Sequence, residues 1–427
     1  MKFKNIFTEY DDNIEKSIDL DPLGIGVIWR YFGQQIFDNK ITASTFRIRN
    51  FNINLFNHLI IKHLFHHNEK IQDLMLMNKK ETTEKLLIIL ENFIVYSWFN
   101  HKEDWDKQGL LGTSKAISKW NNKDAITFDI SKDFKDIELL TSQKTTGVNG
   151  TYKGSFIAMF NESNLEDENL TKDYDRYFEN DELLQDIRKK FLPKFQELFD
   201  AVIEYFENDE KLPNEKMQKL YTEIYAKHDK IAQSTKSFWL KYLGFDSNEA
   251  RAIYDIVDTI ELNNRYLDYK KIIEEANSNF KSKKFQNILS LEPKLSYLEN
   301  IYNYLLSCDG KTIKEIEKSK CIDFPKITFE KELESISEDN EAKNRLQKMT
   351  EIYDVKSLID YHSEIMGARE QQDWIDKDTK DKKIKINNFS TDLEIDEDTL
   401  CEKKEYPDWN RNYYLNSVYY IKRGLEQ

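Results

Sequence analysis

The sequence predicts a mainly α fold, with an N-terminal helical domain containing a winged-helix or helix-turn-helix element, a central helical bundle and a small α+β tail. Apolar residues recur in steps of three and four over long stretches, as amphipathic helices require. Eight of the twelve glycines lie before residue 155 and five of the six prolines after residue 190, so the chain changes character near its first third. The two-residue alternation of strands is found only near the end, in WIDKD from Trp374 and KKIKINNF from Lys382.

At 427 residues the chain exceeds one ordinary core. The expected division is a helical domain over 1–160, an acidic linker over 161–180, a bundle over 181–360 and the tail over 361–427. In the first domain, helices are expected at Trp29 to Phe37, Phe51 to His67, Glu81 to Asn100, Thr113 to Trp120 and again after Ser131. Leu55, Phe56, Leu59, Ile60 and Leu64 form one face of the second. The run LLIILENFIVYSWF, Leu86 to Phe99, falls short of the roughly 18 residues of a membrane span and is interrupted by Glu91 and Asn92. It reads as a buried helix, and no membrane partner is expected.

After the linker, Leu184, Ile187, Phe191, Phe195, Leu198, Val202 and Phe206 form an amphipathic stripe that Pro193 should bend or restart. A stripe from Met217 to Ile231 follows Pro213, and another from Leu295 to Leu305 follows Pro293, as in members of an antiparallel bundle. The tail should form a hairpin turned by DTKD, then a helix with Tyr414, Val418, Ile421 and Leu425 on one face.

A net charge of −14 argues against a protein that coats nucleic acid indiscriminately, although a local basic face remains compatible with it. The excess of lysine over arginine is first of all the mark of an AT-rich genome. Three cysteines, odd in number and without a CxxC pair, fit a reducing interior, and the N-terminus lacks a signal-peptide core. A cytoplasmic protein is expected.

The stretch TSQKTTGVNGTYKGS, Thr141 to Ser155, holds three glycines and no acid. It is not a P-loop, because Lys153 precedes Gly154, and GIG at Gly24 to Gly26 lacks the third glycine of a dinucleotide fingerprint. The functional reading is a helix-turn-helix: Ser131 caps a helix through Phe134, Ile137 and Leu140, Gly147 and Gly150 turn the chain, and Tyr152 to Phe160 forms the second helix. Such a helix presents Asn149, Thr151 and Lys153 near its start. From Lys107 to Ser155 eight lysines stand against five acids. The segment STFRIRNFN adds Arg47 and Arg49 among Phe46 and Phe51. Arg47, Arg49, Lys144, Asn149, Thr151 and Lys153 are therefore the residues expected to touch double-stranded DNA. A plain connecting loop is the alternative, since most glycine-containing helical hairpins only pack.

Other constellations point away from chemistry. His63, His66 and His67 share a helix face without HExxH or a nearby cysteine, so a polar helix end is expected, with no metal and no cofactor. The acidic runs DYDRYFENDE and EIDED lack the glycine of a calcium loop and read as solvated faces. PDWNRNYY, with Trp409 and Arg411, mixes arginine and aromatics a second time. A small enzyme site, if present, would lie in YHSEIMGAREQQDW around His362. Two functions remain in view. One is a non-enzymatic DNA-associated subunit of a bacterial multiprotein system, antiviral or restriction-type, working with other protein subunits. The other is a protein-interaction scaffold without nucleic-acid binding, and a hydrolase or nuclease built from scattered carboxylates stands behind both.

Overall fold

A computed structural model of the chain describes residues 21–101, 110–120, 126–160, 181–226, 228–246, 248–259, 267–324, 329–337, 340–377, 383–387, 394–405 and 409–426. The expected linker, 161–180, lies outside them. The helices run α1 (Ile25–Ile36), α2 (Ile48–His67), α3 (Glu69–Asn100), α4 (Thr113–Trp120), α5 (Phe134–Ile137), α6 (Gln143–Thr146) and α7 (Val148–Phe160). Then follow α8 (Asp181–Asp186), α9 (Gln196–Glu207), α10 (Glu215–Ala226), α11 (His228–Tyr242), α12 (Asn248–Ile256), α13 (Tyr269–Asn279) and α14 (Lys283–Leu306). The remainder is α15 (Ile313–Ile316), α16 (Glu330–Leu333), α17 (Glu341–Met349), α18 (Val355–Ala368), strands β1 (Ile375–Lys377) and β2 (Ile384–Ile386), α19 (Glu397–Glu405) and α20 (Leu415–Glu426). The fold is mainly helical with a two-stranded sheet near the C-terminus, and no helix among the described residues is long and apolar enough to cross a membrane. The chain divides into two compact units, each assembled from separated stretches: residues 38–247 with 416–427, and residues 1–37 with 248–415.

In the first of these units α2 is the central element. It packs on α3, α7, α9 and α11, and its buried residues lie on every side rather than on the single face expected. Phe51 meets the rings of Tyr152 at 4.7 Å and Trp239 at 5.3 Å, and Phe56 meets Phe195 at 5.6 Å. Polar side chains inside need partners: Asn52 Oδ1 accepts the Trp239 Nε1–H at 2.7 Å. Helix α3 starts twelve residues before the expected Glu81, where the Asn68 side chain accepts the Ile71 N–H at 3.0 Å. It leaves helical geometry at Asn78 (φ −152°, ψ 87°), and Asn78 Oδ1 then caps the second stretch by accepting the Glu81 N–H at 3.2 Å. The expected start is thus the point where the helix resumes. Pro193 acts as expected: the chain passes through a wide turn at Ile187–Phe191 and a tight one at Leu192–Lys194 before α9. On α20, Val418, Ile421 and Leu425 are buried as their spacing predicts, whereas Tyr414, expected on the same helix, is buried just ahead of it in the other unit.

In the second unit α14 runs through Pro293 instead of starting after it, from an N-cap at Ser282 whose hydroxyl accepts the Lys284 N–H at 3.1 Å. Phe285, Ile288 and Leu291 continue the apolar stripe upstream of the proline, and their burial outweighs the one helical hydrogen bond that proline removes. Beside the proline, Glu292 is fully enclosed. It accepts the Tyr413 hydroxyl at 2.7 Å, the Asn410 N–H at 2.9 Å and Arg411 Nη1 at 3.3 Å, while Arg411 Nη2 reaches Glu299 at 2.8 Å. The arginine of PDWNRNYY is therefore spent on the interior.

β1 and β2 pair antiparallel with Ile375 opposite Ile386, and the turn expected at DTKD lies outside the described residues. His362 is fully buried in this unit. Its Nδ1–H donates to the Pro22 carbonyl at 3.0 Å and its Nε2 accepts the Trp374 N–H at 2.9 Å, so both nitrogens are held by backbone and burial keeps the ring neutral. It is a structural joint. Asp396 in EIDED caps α19, accepting the Thr399 N–H at 2.7 Å. The cysteines depart from expectation: Cys321 and Cys401, 80 residues apart, form a disulfide with Cα atoms 4.7 Å apart.

Arg411→Met strands the buried Glu292 carboxylate and should lower stability by about 3 to 5 kcal/mol, read as a fall in the urea unfolding midpoint. Arg411→Met with Glu292→Leu should recover most of that loss.

Candidate nucleic-acid interface at the glycine loop

The loop between α5 and α7 is shaped by the two polar residues that interrupt the apolar run of α3. Asn92 Nδ2 donates to the Ile137 carbonyl at 2.7 Å, and Gln143 Oε1 accepts the Leu139 N–H at 2.7 Å. Backbone groups that a longer helix would have paired are thereby claimed by side chains. In place of one helix through Phe134, Ile137 and Leu140 there are two single turns, α5 and α6, and α5 begins after Asp133 rather than at a Ser131 cap. Gly147 separates α6 from α7, whereas Gly150 lies inside α7.

Glu91 sits at the N-terminus of α7. Its carboxylate accepts the Asn149 N–H at 2.9 Å and the Gln143 side-chain N–H at 3.2 Å, and the Val148 N–H also points to it. Gln143 Nε2 further donates to Asn92 Oδ1 at 3.1 Å. The first amides of a helix lack internal partners and favour negative charge, so a glutamate from a neighbouring helix does here what a bound phosphate does in a P-loop. Burial pushes the Glu91 carboxyl up to about 7, against the hydrogen bonds that favour its charged form. The glycines serve this packing: a Cβ on Gly147 would lie 2.5 Å from Glu91 Oε2 and 2.6 Å from the Gln143 carbonyl oxygen. A Cβ on Gly150 would overlap the backbone of Thr145, while one on Gly154 would meet nothing within 4 Å. A cavity of about 20 Å³ borders Glu91, Gln143 and Asn50, room for a single water and not for a ligand.

Of the residues expected to touch DNA, three lie at separate points along the seam of α2 and α7. The Tyr152 hydroxyl accepts the Arg47 N–H at 3.0 Å, with the Arg47 guanidinium against the Phe46 ring at 5.1 Å. A side-chain hydrogen bond links Asn149 to His58, and Lys153 lies close enough to act on the same imidazole. His58 is fully buried, which lowers its pKa to about 3. Thr151 is partly exposed and makes the first bond of α7, its N–H donating to the Gly147 carbonyl at 3.0 Å. Arg49 is half-buried in the first turn of α2. Lys144 belongs to the α5 side, over the Phe134 ring at 5.9 Å. Lys144 and Lys153 are exposed to solvent.

Sequence reasoning took Glu91 and Asn92 only as interruptions of an apolar run and passed over Gln143. The signal was present, since two polar residues in the middle of an otherwise apolar helix must find partners once buried. In the histidine cluster His63 and His67 lie with ring centroids 4.5 Å apart and planes tilted by 41°, and among the described residues no group of three His, Cys, Asp or Glu side chains could hold a metal ion.

Gly147→Ala and Gly150→Ala should each lower stability by about 1 to 3 kcal/mol, because the added methyl must displace backbone or the Glu91 carboxylate. Gly154→Ala should be neutral or stabilising by up to about 1 kcal/mol, since it only improves helix propensity; thermal unfolding of the three variants checks the ranking.

The raised pKa of Glu91 means that the folded state holds its proton more tightly than the unfolded chain does. That stabilisation is complete below 4.5 and is lost as pH rises through about 7. Glu91→Gln should remove the dependence, so the wild type loses about 3 kcal/mol relative to the variant between pH 4.5 and 7.5 in urea titrations. His58 acts in the opposite sense, losing stability as pH falls from 6.5 towards 3, and the paired comparison cancels it.

No protein-family model matches the chain, and neither a curated protein nor a solved structure does.

Proposed function

We propose that the chain is a non-enzymatic, DNA-associated subunit of a bacterial multiprotein assembly, touching duplex phosphates through the cations around its glycine loop. One observation carries this reading: within the loop the amide side chains turn inward and the cations outward. Gln143 and Asn149 are bonded to Glu91 and His58, while Lys144 and Lys153 are exposed. Helices α4, α5 and α6 all pack on α3, which gathers Lys115, Lys119, Lys135 and Lys144 within one unit. Burial above all, and then the charge of Lys115, lower the Lys119 pKa, while its ammonium donates to the Asp136 carbonyl. Over the described residues from 110 to 155, six lysines stand against four acids, in contrast with −14 for the whole chain.

With the N-terminus of α7 already filled by Glu91, the contact we propose is electrostatic and positioning, not base reading by a recognition helix. Arg47 and Arg49, at the start of α2, are the further cations of the proposed contact, and a cytoplasmic setting belongs to the same proposal. A second reading, a protein-interaction scaffold, is favoured by Leu76 and Met77, which are 81 % and 84 % exposed at the bend of α3.

Fluorescence anisotropy of a labelled duplex at three salt concentrations separates the two. The DNA reading expects affinity to fall steeply with salt, and Lys144→Glu with Lys153→Glu to weaken binding and make the log–log salt slope shallower by about 2. A salt-independent signal, or unchanged affinity in a folded double variant, contradicts it.

A further inference from the structure

The unit of residues 1–37 and 248–415 contains an open cleft of about 590 Å³, and the disulfide joins two chain segments that each contribute a residue to its lining. One wall runs through Tyr304, Lys311, Lys318 and Ser319, and the other carries Glu397. Ser319 precedes Cys321 by two residues. Glu397 precedes Cys401 by four on α19, one turn earlier and on the same face. The bond therefore joins the segment just beyond Ser319 to the helix that carries Glu397.

The two sulfurs differ in access. Cys321 is buried, with its carbonyl held by the Tyr297 hydroxyl at 2.7 Å, whereas Cys401 is exposed on α19. Non-covalent contacts hold the helix as well. Lys404 Nζ donates to the Lys320 carbonyl at 2.9 Å and pairs with Asp323 at 3.4 Å, and α19 packs on α14. Breaking the disulfide would thus loosen α19 without releasing it. The third cysteine, Cys308, is free and buried, with Lys311 Nζ donating to its sulfur at 3.7 Å.

We infer that Cys321 and Cys401 form a reversible redox clamp across this cleft, exchanging with the glutathione couple through Cys401. In the reducing direction a glutathione thiolate attacks Cys401 Sγ and the protein S–S bond breaks. Cys321 departs as a thiolate that takes a proton from solvent. A second glutathione thiolate attacks the glutathione sulfur of the mixed disulfide, so that Cys401 leaves as a thiolate and glutathione disulfide is released. Two glutathione thiols are oxidised, two protein thiols are formed, and oxidation is the reverse.

The test uses the full chain equilibrated in buffers spanning reduced to oxidised glutathione, with free thiols trapped by a maleimide and counted by mass after denaturation. The clamp predicts three thiols at the reducing end and one at the oxidising end, with the crossing inside the range that glutathione buffers. It also predicts that α19 amides exchange with solvent about tenfold faster in the reduced protein, and that Cys401→Ser matches the reduced wild type. A pair that stays oxidised at the most reducing ratio is a permanent staple and overturns the inference. So does a pair that stays as thiols at the most oxidising ratio, or an α19 exchange rate indifferent to the state of the bond.

Discussion

A carboxylate and an amide buried side by side on α3 set the shape of the glycine loop. Asn92 takes the carbonyl that ends α5, Glu91 takes the first amides of α7, and Gln143 bonds to both side chains. Each group alone would be costly to bury, and together they satisfy one another. The glycines follow from that arrangement. Gly147 must let Glu91 approach and Gly150 must let Thr145 pass, so a stretch that resembles a phosphate cradle in composition is a cradle for the protein's own glutamate. What the loop leaves to solvent are its cations, which is why the proposed contact with DNA is one of charge.

The same economy recurs in the other unit. Glu292 lies beside a proline in the middle of α14 and gathers Arg411, Tyr413 and the Asn410 amide, so the segment around Arg411 closes onto that helix. His362 joins Pro22 to Trp374 through its two nitrogens, and Tyr361 donates its hydroxyl to the Leu23 carbonyl. These buried polar groups sit where distant segments meet, and apolar packing alone would leave such meetings less specific.

Much of the helix pattern was legible in the sequence. The bounds of α4, the break at Pro193, the two strands of the tail and the buried face of α20 all follow from local spacing and from the chemistry of proline. Local spacing also explains the errors. Asn78 interrupts α3 and hid its first turns, and Pro293 suggested a start for α14 that the upstream stripe of Phe285, Ile288 and Leu291 overrides. Pairings across long separations leave no periodicity to read. Glu91 and Asn149 are 58 residues apart, Cys321 and Cys401 are 80 apart, and His362 and Pro22 are 340 apart. For the candidate site, the exposed lysines could be named from composition, whereas the inward role of Asn149 and the presence of Glu91 required the fold.

The account turns on Glu91 holding the N-terminus of α7, and hydrogen exchange by mass spectrometry over the start of α7 tests that most directly. In the wild type the Val148 and Asn149 amides should be protected like those of the buried half of α3. In Glu91→Ala that protection should fall while α3 itself keeps most of its own. Equal protection of the two amides in both proteins would show that the loop is held by something other than this carboxylate, and would reopen the N-terminus of α7 as a site for an external anion.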